Sequence, residues 1–146
     1  MSGKYAAYPV YKDSGIQMLG TIPVDWQTKQ VRYLLKDGAE GIKIGPFGSA
    51  LKLEDMVKSG TRVYGQENVI KKDFTLGKRR ISQDKFKEMS AYQVCPDDLL
   101  ITMMGTSGKC ELVPHDADVG IIDSHLLRMR VKEAEILPRY FRLLID

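Results

Sequence analysis

The sequence predicts an α+β fold: a single globular domain of short, twisted strands with a few short helices, ending in the start of a longer C-terminal helix. Three observations carry that expectation. Short apolar runs bounded by glycine, proline or aspartate recur through the chain, as in "DLLITMM" between "CPDD" and Gly105. Helical spacing is confined to brief stretches. Strands and helices do not alternate in the βαβ rhythm that builds a doubly wound parallel sheet. At 146 residues the chain has room for one domain and hardly two. A domain near this size buries about 68–70% of its unfolded surface and needs no disulfide or metal staple.

Taken in order, Met1 to Gly20 mixes tyrosines with turn residues and reads as loosely structured. Trp26, the only tryptophan, opens "WQTKQVRYLL" and is expected to pack in the core. Val31, Leu34 and Leu35 leave strand or short helix open for that run. "GIKIGPFGSALKLEDMVKSG" carries four glycines and a proline and must turn. "TRVYG" and "NVI" read as short strands. Ser82 is an N-cap for a helix over "SQDKFKEMSAYQ", with Phe86 and Met89 at helical spacing. "DLLITMM" is a buried strand, "CELVP" its hairpin partner, and "SHLLRMRV" another strand. Arg128 and Arg130, two apart on that strand, share one face, read as facing solvent. "LPRYFRLLID" starts a helix with Pro138 near its first position and runs uncapped to Asp146, as though a longer helix continued. Leu137, Phe141 and Leu144 give that helix an apolar face for packing on a partner.

Several function classes lose ground here. No apolar run approaches the roughly 20 residues of a membrane span, and Met1 to Tyr11 lacks a signal-peptide pattern. The two cysteines, Cys95 and Cys110, read as reduced thiols, and with no export signal the expected location is cytoplasmic. Neither they nor His115 and His125 have zinc spacing, and nothing places either cysteine in a nucleophile signature. Cys110 reads as a small core filler, Asp97 and Asp98 as turn residues. "GTSGK" invites a nucleotide-binding or hydrolytic reading. A Walker A loop, however, needs glycine where Met103 stands and Ser or Thr where Cys110 stands, and it must run into a helix. A hairpin tip fits better, exposing Thr106, Ser107 and Lys109.

Charge is uneven. The formal net charge is +3, yet residues 71–87 hold seven Lys/Arg against two acidic residues. A basic stripe on a nearly neutral chain suggests a polyanion met on one face.

Five segments, in order, resemble the first target-recognition domain of a type I restriction–modification specificity subunit. They are "YKDSGIQMLGTIPVDW" (Tyr11 to Trp26), "GPFGSALKLEDMVKSG" (Gly45 to Gly60), "VYGQENVI" (Val63 to Ile70), "PDDLLITMMGTSGKCELVP" (Pro96 to Pro114) and "IDSHLLRMRV" followed by "ILPRYF". The resemblance implies a non-catalytic module over residues 1–146, with a recognition core at about 11–136 and the start of a spacer helix at 137–146. Its implied task is to read one half of a bipartite site in double-stranded DNA. Methylation and restriction would fall to partner methyltransferase subunits and motor–nuclease subunits. S-adenosylmethionine, magnesium and ATP would be used by those partners and no cofactor bound by this chain. Such subunits carry two recognition domains, so the chain corresponds to a half; a natural half subunit would pair as a homodimer. No membrane partner is expected, since no apolar run is long enough to span one.

On that reading the DNA-binding set is Lys43, Ser49, Lys52, Gln66, Glu67, Asn68, Lys71, Lys72, Lys78, Arg79, Arg80, Thr106, Ser107 and Lys109. Gln and Asn pair best with adenine, Arg and Lys with guanine, and Glu67 could accept from cytosine. The lysines and arginines serve mainly as phosphate clamps; about five neutralised phosphates would give a log–log salt slope near −4 to −5. Two alternatives stay open. Gln66 and Asn68 could satisfy turn backbones instead. Gly45, Pro46 and Gly48 could make a tight turn with Phe47 in the core, or a loop facing DNA.

Overall fold

The computed structural model describes residues 6–146, in two compact units that meet in sequence at Tyr33 and Leu34. The architecture is α+β, with three small sheets and short helices.

The first unit is a hairpin. Strand β1 (Tyr11–Asp13) pairs antiparallel with β2 (Thr21–Pro23), Lys12 opposite Ile22. The turn is set locally: Asp13 accepts from the Gly15 N–H at 2.8 Å, and Ser14 Oγ accepts from the Ile16 N–H at 3.1 Å. The sequence was expected to be loose up to Gly20. The described part is a paired ribbon instead, and for residues 1–5 that expectation lies outside the described residues. Trp26 departs from expectation more sharply. It is 52% exposed, its ring edge-on to Tyr8 with centroids 5.7 Å apart. Three-residue strands bury little more than Ile22 and Pro23, so this unit offers no interior large enough for an indole. The open alternative after it resolves as a single helical turn, α1 (Val31–Leu34).

The second unit holds two sheets. A four-stranded antiparallel sheet has the order β3 (Ile42–Ile44), β9 (Leu126–Met129), β6 (Leu99–Thr102), β7 (Cys110–Leu112). The expected β6–β7 hairpin is present, Leu99 opposite Leu112 and Ile101 opposite Cys110. A three-stranded sheet has the order β5 (Arg80–Ile81), β4 (Met56–Tyr64), β8 (Gly120–Ile122). Here β4 and β8 run parallel, Arg62 opposite Gly120. The α+β expectation did not include a parallel pair, and β8 is too short to announce itself.

Alternation along the strands sorts the core into three layers. Tyr64, Ile122, Leu100 and Leu126 share one buried cluster with Val69, Phe74, Val94 and Val113. The next residues along, Val63 and Ile121, join Ile81 and Met89 in a second cluster, with Phe86 beside them. Helix α4 (Gln83–Glu88) supplies that side, capped as expected by Ser82, whose Oγ accepts from the Lys85 N–H at 3.2 Å. Leu99, Cys110, Leu35 and Val131 pack with Phe141 of α5 (Pro138–Ile145) in the third. Cys110 is thus the core filler expected.

"NVI" is not a strand. It lies in helix α3 (Gln66–Ile70), which turns Val69 into the core and leaves Ile70 exposed. Three residues, two of them β-branched, are too few to distinguish the two states by periodicity. What decides is Asn68, whose amide closes the first turn of the helix.

Arg128 and Arg130 do not face solvent. Arg128 is 3% exposed, and its guanidinium donates to the carbonyls of Ala39 (2.9 Å), Glu40, Ala91 and Gln93. The strand thereby clips α2 (Gly38–Gly41) and the 91–93 turn to the sheet. Burial, and then the charge of Arg130, hold the Arg128 pKa below its usual value. Arg130 forms a two-point pair with Asp98, 2.6 and 2.8 Å, which raises its own pKa. Asp98 is therefore a buried anchor rather than only a turn residue, and it also accepts from the Cys95 N–H at 2.7 Å. Asp97, at φ +66°, keeps a turn role and meets His115 at 2.8 Å.

No helix among the described residues is long and apolar enough to cross a membrane.

Candidate nucleic-acid interface

Strand direction brings five loops to one end of the second unit. β3 and β6 both run antiparallel to β9, so they end where β9 begins. β8 ends there too, because only Asp123, Ser124 and His125 separate it from β9. β4 is parallel to β8 and ends at the same level, while β5 and β7, antiparallel to β4 and β6, start there. The loops at this pole are 45–50, 65–68, 77–79, 103–109 and 123–125.

Hydrogen bonds stitch them together. Gly45 N–H donates to Leu126 O at 2.9 Å, Asp123 N–H to Tyr64 O at 2.9 Å, and Met103 N–H to His125 O at 3.0 Å. Met104 N–H donates to Gln66 Oε1 at 3.0 Å, tying the hairpin tip to α3. Gly45 passes so close to Asp123 that a Cβ would lie 1.7 Å from its carbonyl oxygen, so only glycine fits. At Gly65 a Cβ would fall 2.3 Å from the Arg79 guanidinium and 2.5 Å from the Glu67 carboxylate.

At the centre lies an ion-paired cluster. Asp123, 5% exposed, accepts from Arg79 Nη2 at 2.8 Å and from the His125 N–H at 3.0 Å. Glu67 approaches the same Arg79 nitrogen at 3.7 Å. The His125 ring is exposed, its Nδ1 4.0 Å from Asp123. Arg79 is thus largely neutralised by carboxylates and acts as a brace between loops. Asp123 and the Met104 N–H were not singled out in the sequence. The only trace of Asp123 was its place after an apolar triplet, and the partner of a backbone N–H leaves no trace at all.

The expected residues divide into three groups. Lys78, Thr106, Ser107 and Lys109 are exposed at the pole, and neither lysine has an ion pair among the described residues. Gln66 and Glu67 are half-buried in the same place. Thr106 and Lys109 are held by Thr102, whose hydroxyl donates to the Thr106 carbonyl and accepts from the Lys109 N–H at 3.0 Å.

A second group is committed to the fold. Asn68 is 1% exposed; its Oδ1 accepts from the Gly65 N–H, and its Nδ2 donates to the carbonyls of Asp73 and Leu76, each at 3.0 Å. Of the two readings left open for Asn68, this is the backbone-satisfying one. Arg80 is half-buried in β5, its Nη1 donating to Arg79 O at 3.0 Å. Lys43 lies over the Tyr92 ring, 4.6 Å from the centroid.

The third group is exposed and, among the described residues, makes no side-chain hydrogen bond or ion pair to Arg79, Asp123 or Glu67. Ser49 and Lys52 sit in the 3-10 turns Gly48–Ala50 and just before Leu53–Asp55, Lys52 beside Glu54 at 3.2 Å. Lys71 and Lys72 follow α3. Phe47 is 66% exposed, which excludes the turn-with-core-filler alternative for loop 45–50.

"GTSGK" is the tip of the β6–β7 hairpin, closed by Gly108 N–H to Thr102 O at 2.8 Å, and it runs directly into β7 rather than into a helix. On α5, Phe141 is buried while Leu137, Tyr140, Leu143 and Leu144 remain exposed, so the expected stripe of Leu137, Phe141 and Leu144 is split between core and surface.

No protein-family model and no curated protein matches the sequence.

Proposed function

We propose that this chain is a DNA-reading module that recognises one half of a bipartite duplex site on behalf of partner methyltransferase and motor–nuclease subunits, as its resemblance to type I specificity subunits implies. The observation that carries the reading is the convergence of five loops at one pole, with Lys78 and Lys109 exposed beside Gln66, Thr106 and Ser107. Flexible cations at the edge of a rigid, cross-linked surface suit phosphate docking, and fixed polar side chains between them suit base edges. The carboxylates of Glu67 and Asp123 limit the local positive charge, so few phosphates are engaged. Two lysines, with a contribution from Arg79, give an expected log–log salt slope of about −2 to −3 rather than −4 to −5.

Duplex binding measured across a salt series tests the proposal. Lys78→Ala and Lys109→Ala should each weaken binding to every sequence and each reduce the slope by about one. Lys132→Ala, beyond the far end of β9 and paired with Asp37 at 3.2 Å, should change nothing. Equal effects of all three substitutions would remove the pole as the docking surface.

The exposed face of α5 favours an additional role in assembly. Leu137, Tyr140 and Leu144 recur at helical spacing, and each is more than half exposed. A concentration-dependent mass that Leu144→Glu abolishes would support it; a mass that stays monomeric with and without a helical partner subunit would rule it out.

A further inference from the structure

We infer that Arg79 reads guanine, donating to N7 and O6 in the major groove, and that Asp123 is the positioning residue that holds it for that task. This rests on the DNA-reading proposal and goes further, because it names one base and the residue that reads it.

The two oxygens of the buried Asp123 carboxylate have different partners. Oδ1 accepts from the His125 N–H at 3.0 Å, and Oδ2 accepts from Arg79 Nη2 at 2.8 Å. The Asp123 N–H in turn donates to Tyr64 O at 2.9 Å. A carboxylate held this way fixes one nitrogen of the guanidinium. The Arg79 backbone is fixed as well, its carbonyl accepting from the Val63 N–H at 3.1 Å. Gly65 keeps clear the space beside Nη2, where a Cβ would intrude to 2.3 Å.

One hydrogen bond at Nη2 uses one donor of a group made only of donors. Every guanidinium nitrogen carries hydrogen and none accepts, so what the group offers is the same whichever way its fork is turned. Among the described residues its other N–H groups make no hydrogen bond, and the Glu67 carboxylate stands off at 3.7 Å. The Arg79 side chain is 36% exposed, on the loop 77–79 that reaches the pole.

Charge decides between phosphate and base. Two carboxylates face one guanidinium here, so this cluster has no net positive charge to draw a phosphate, unlike Lys78 and Lys109. Directed N–H donation survives that neutralisation and suits a neutral acceptor. In the major groove guanine presents two adjacent acceptors, N7 and O6. Adenine sets an amino donor beside N7, cytosine presents only a donor, and thymine offers one acceptor next to a methyl group. A donor-only group against an amino group leaves both unsatisfied, which is the costly arrangement. Guanine is the base that matches. Because Asp123 restrains the side chain before DNA arrives, less ordering is needed on binding.

The test uses the full chain. Bound molecules are selected from a duplex pool of randomised sequence, and the selected duplex is then altered one atom at a time. The wild type should enrich guanine at one position. Placing 7-deazaguanine there, which replaces N7 by C–H, should weaken binding about tenfold. Inosine, which keeps N7 and O6, should bind as guanine does. Lys78→Ala and Lys109→Ala should bind less tightly yet keep the 7-deazaguanine penalty, whereas Arg79→Gln should lose it. If Arg79→Gln does not fold, the two lysine variants still decide whether a lysine is the reader. Asp123→Asn tests the positioning role: selectivity for guanine should fall while affinity for random duplex rises and the salt slope steepens by about one, because a released guanidinium can reach phosphate. Uniformly weaker binding to every sequence would instead make Asp123 a structural brace and overturn its assigned role. A profile without guanine, a guanine indifferent to the loss of N7, or a penalty that vanishes in a lysine variant would overturn the Arg79 assignment while leaving DNA reading intact. A wild-type chain that enriches no sequence would overturn both.

Discussion

Asn68→Ala separates a fold-forming role from a base-reading one, because the two predict opposite observables. The side chain is buried and makes three backbone hydrogen bonds. Truncation leaves the buried Gly65 N–H with no acceptor and removes one donor from the Asp73 carbonyl. The Leu76 carbonyl fares better, since it keeps Arg62 Nη1 at 2.9 Å. An unsatisfied buried donor costs about 1–3 kcal/mol, and each further lost bond about 0.5–1.5 kcal/mol. Alanine's better helix propensity returns only a few tenths. The expected loss is about 3 kcal/mol. With a urea m-value of about 2 kcal/mol/M for a domain of this size, the midpoint should fall by about 1.5 M. Equilibrium urea unfolding followed by tryptophan-independent far-UV circular dichroism measures it, since the indole lies in the other unit. A midpoint shift equivalent to less than about 0.5 kcal/mol, with an altered base preference, would refute the reasoning and return Asn68 to the DNA-contacting set.

Three further outcomes are expected. Arg128→Met should destabilise the second unit by about 2–3 kcal/mol, because four carbonyls lose a charged donor and recovered desolvation offsets only part of that; an unchanged urea midpoint would mean the clip to α2 and the 91–93 turn is dispensable. Burial pushes the Tyr64 phenol up to about 12, a shift opposed by Arg62 and reinforced by Asp118. The folded pKa lies above the unfolded value of about 10, so its contribution to stability is intact below pH 10 and is lost as pH rises toward 12; pH-dependent unfolding should show that decline, and Tyr64→Phe should flatten it. Burial, aided by Asp146, also pushes the Cys110 thiol up, so in Cys95→Ser the remaining thiol should react with a disulfide reagent at pH 8 only as fast as the protein unfolds; prompt labelling would contradict its place in the core.

What the sequence disclosed follows from where the determining contacts lie. The β6–β7 hairpin, the Ser82 cap and the Pro138 helix start are specified by neighbours within a few residues and are present as read, although the Ser82 helix ends at Glu88 and a 3-10 turn, Ser90–Tyr92, takes the place of its expected last turn. The α+β class followed from the same local signals. Asn68 and Arg128 were misjudged because their partners are carbonyls, which every residue type carries, contributed by segments such as 39–40 and 91–93. Trp26 was misjudged because burial depends on whether a large enough interior exists nearby, and a three-residue hairpin supplies none. The basic run 78–80 was legible as charge. Its division into an exposed Lys78, a braced Arg79 and a half-buried Arg80 needed Asp123 and Glu67 in place.

The parallel pairing of Arg62–Tyr64 with Gly120–Ile122 also governs when this pole can exist. As the polypeptide leaves the ribosome, β4 emerges long before its neighbour, and one of its edges stays open through dozens of residues of synthesis. Such long-range closure is slow and exposes an adhesive ribbon meanwhile. Nascent chains halted short of residue 120 would carry the 65–68 and 77–79 loops, spaced by the β4–β5 pairing, but without the Asp123 carboxylate that braces Arg79.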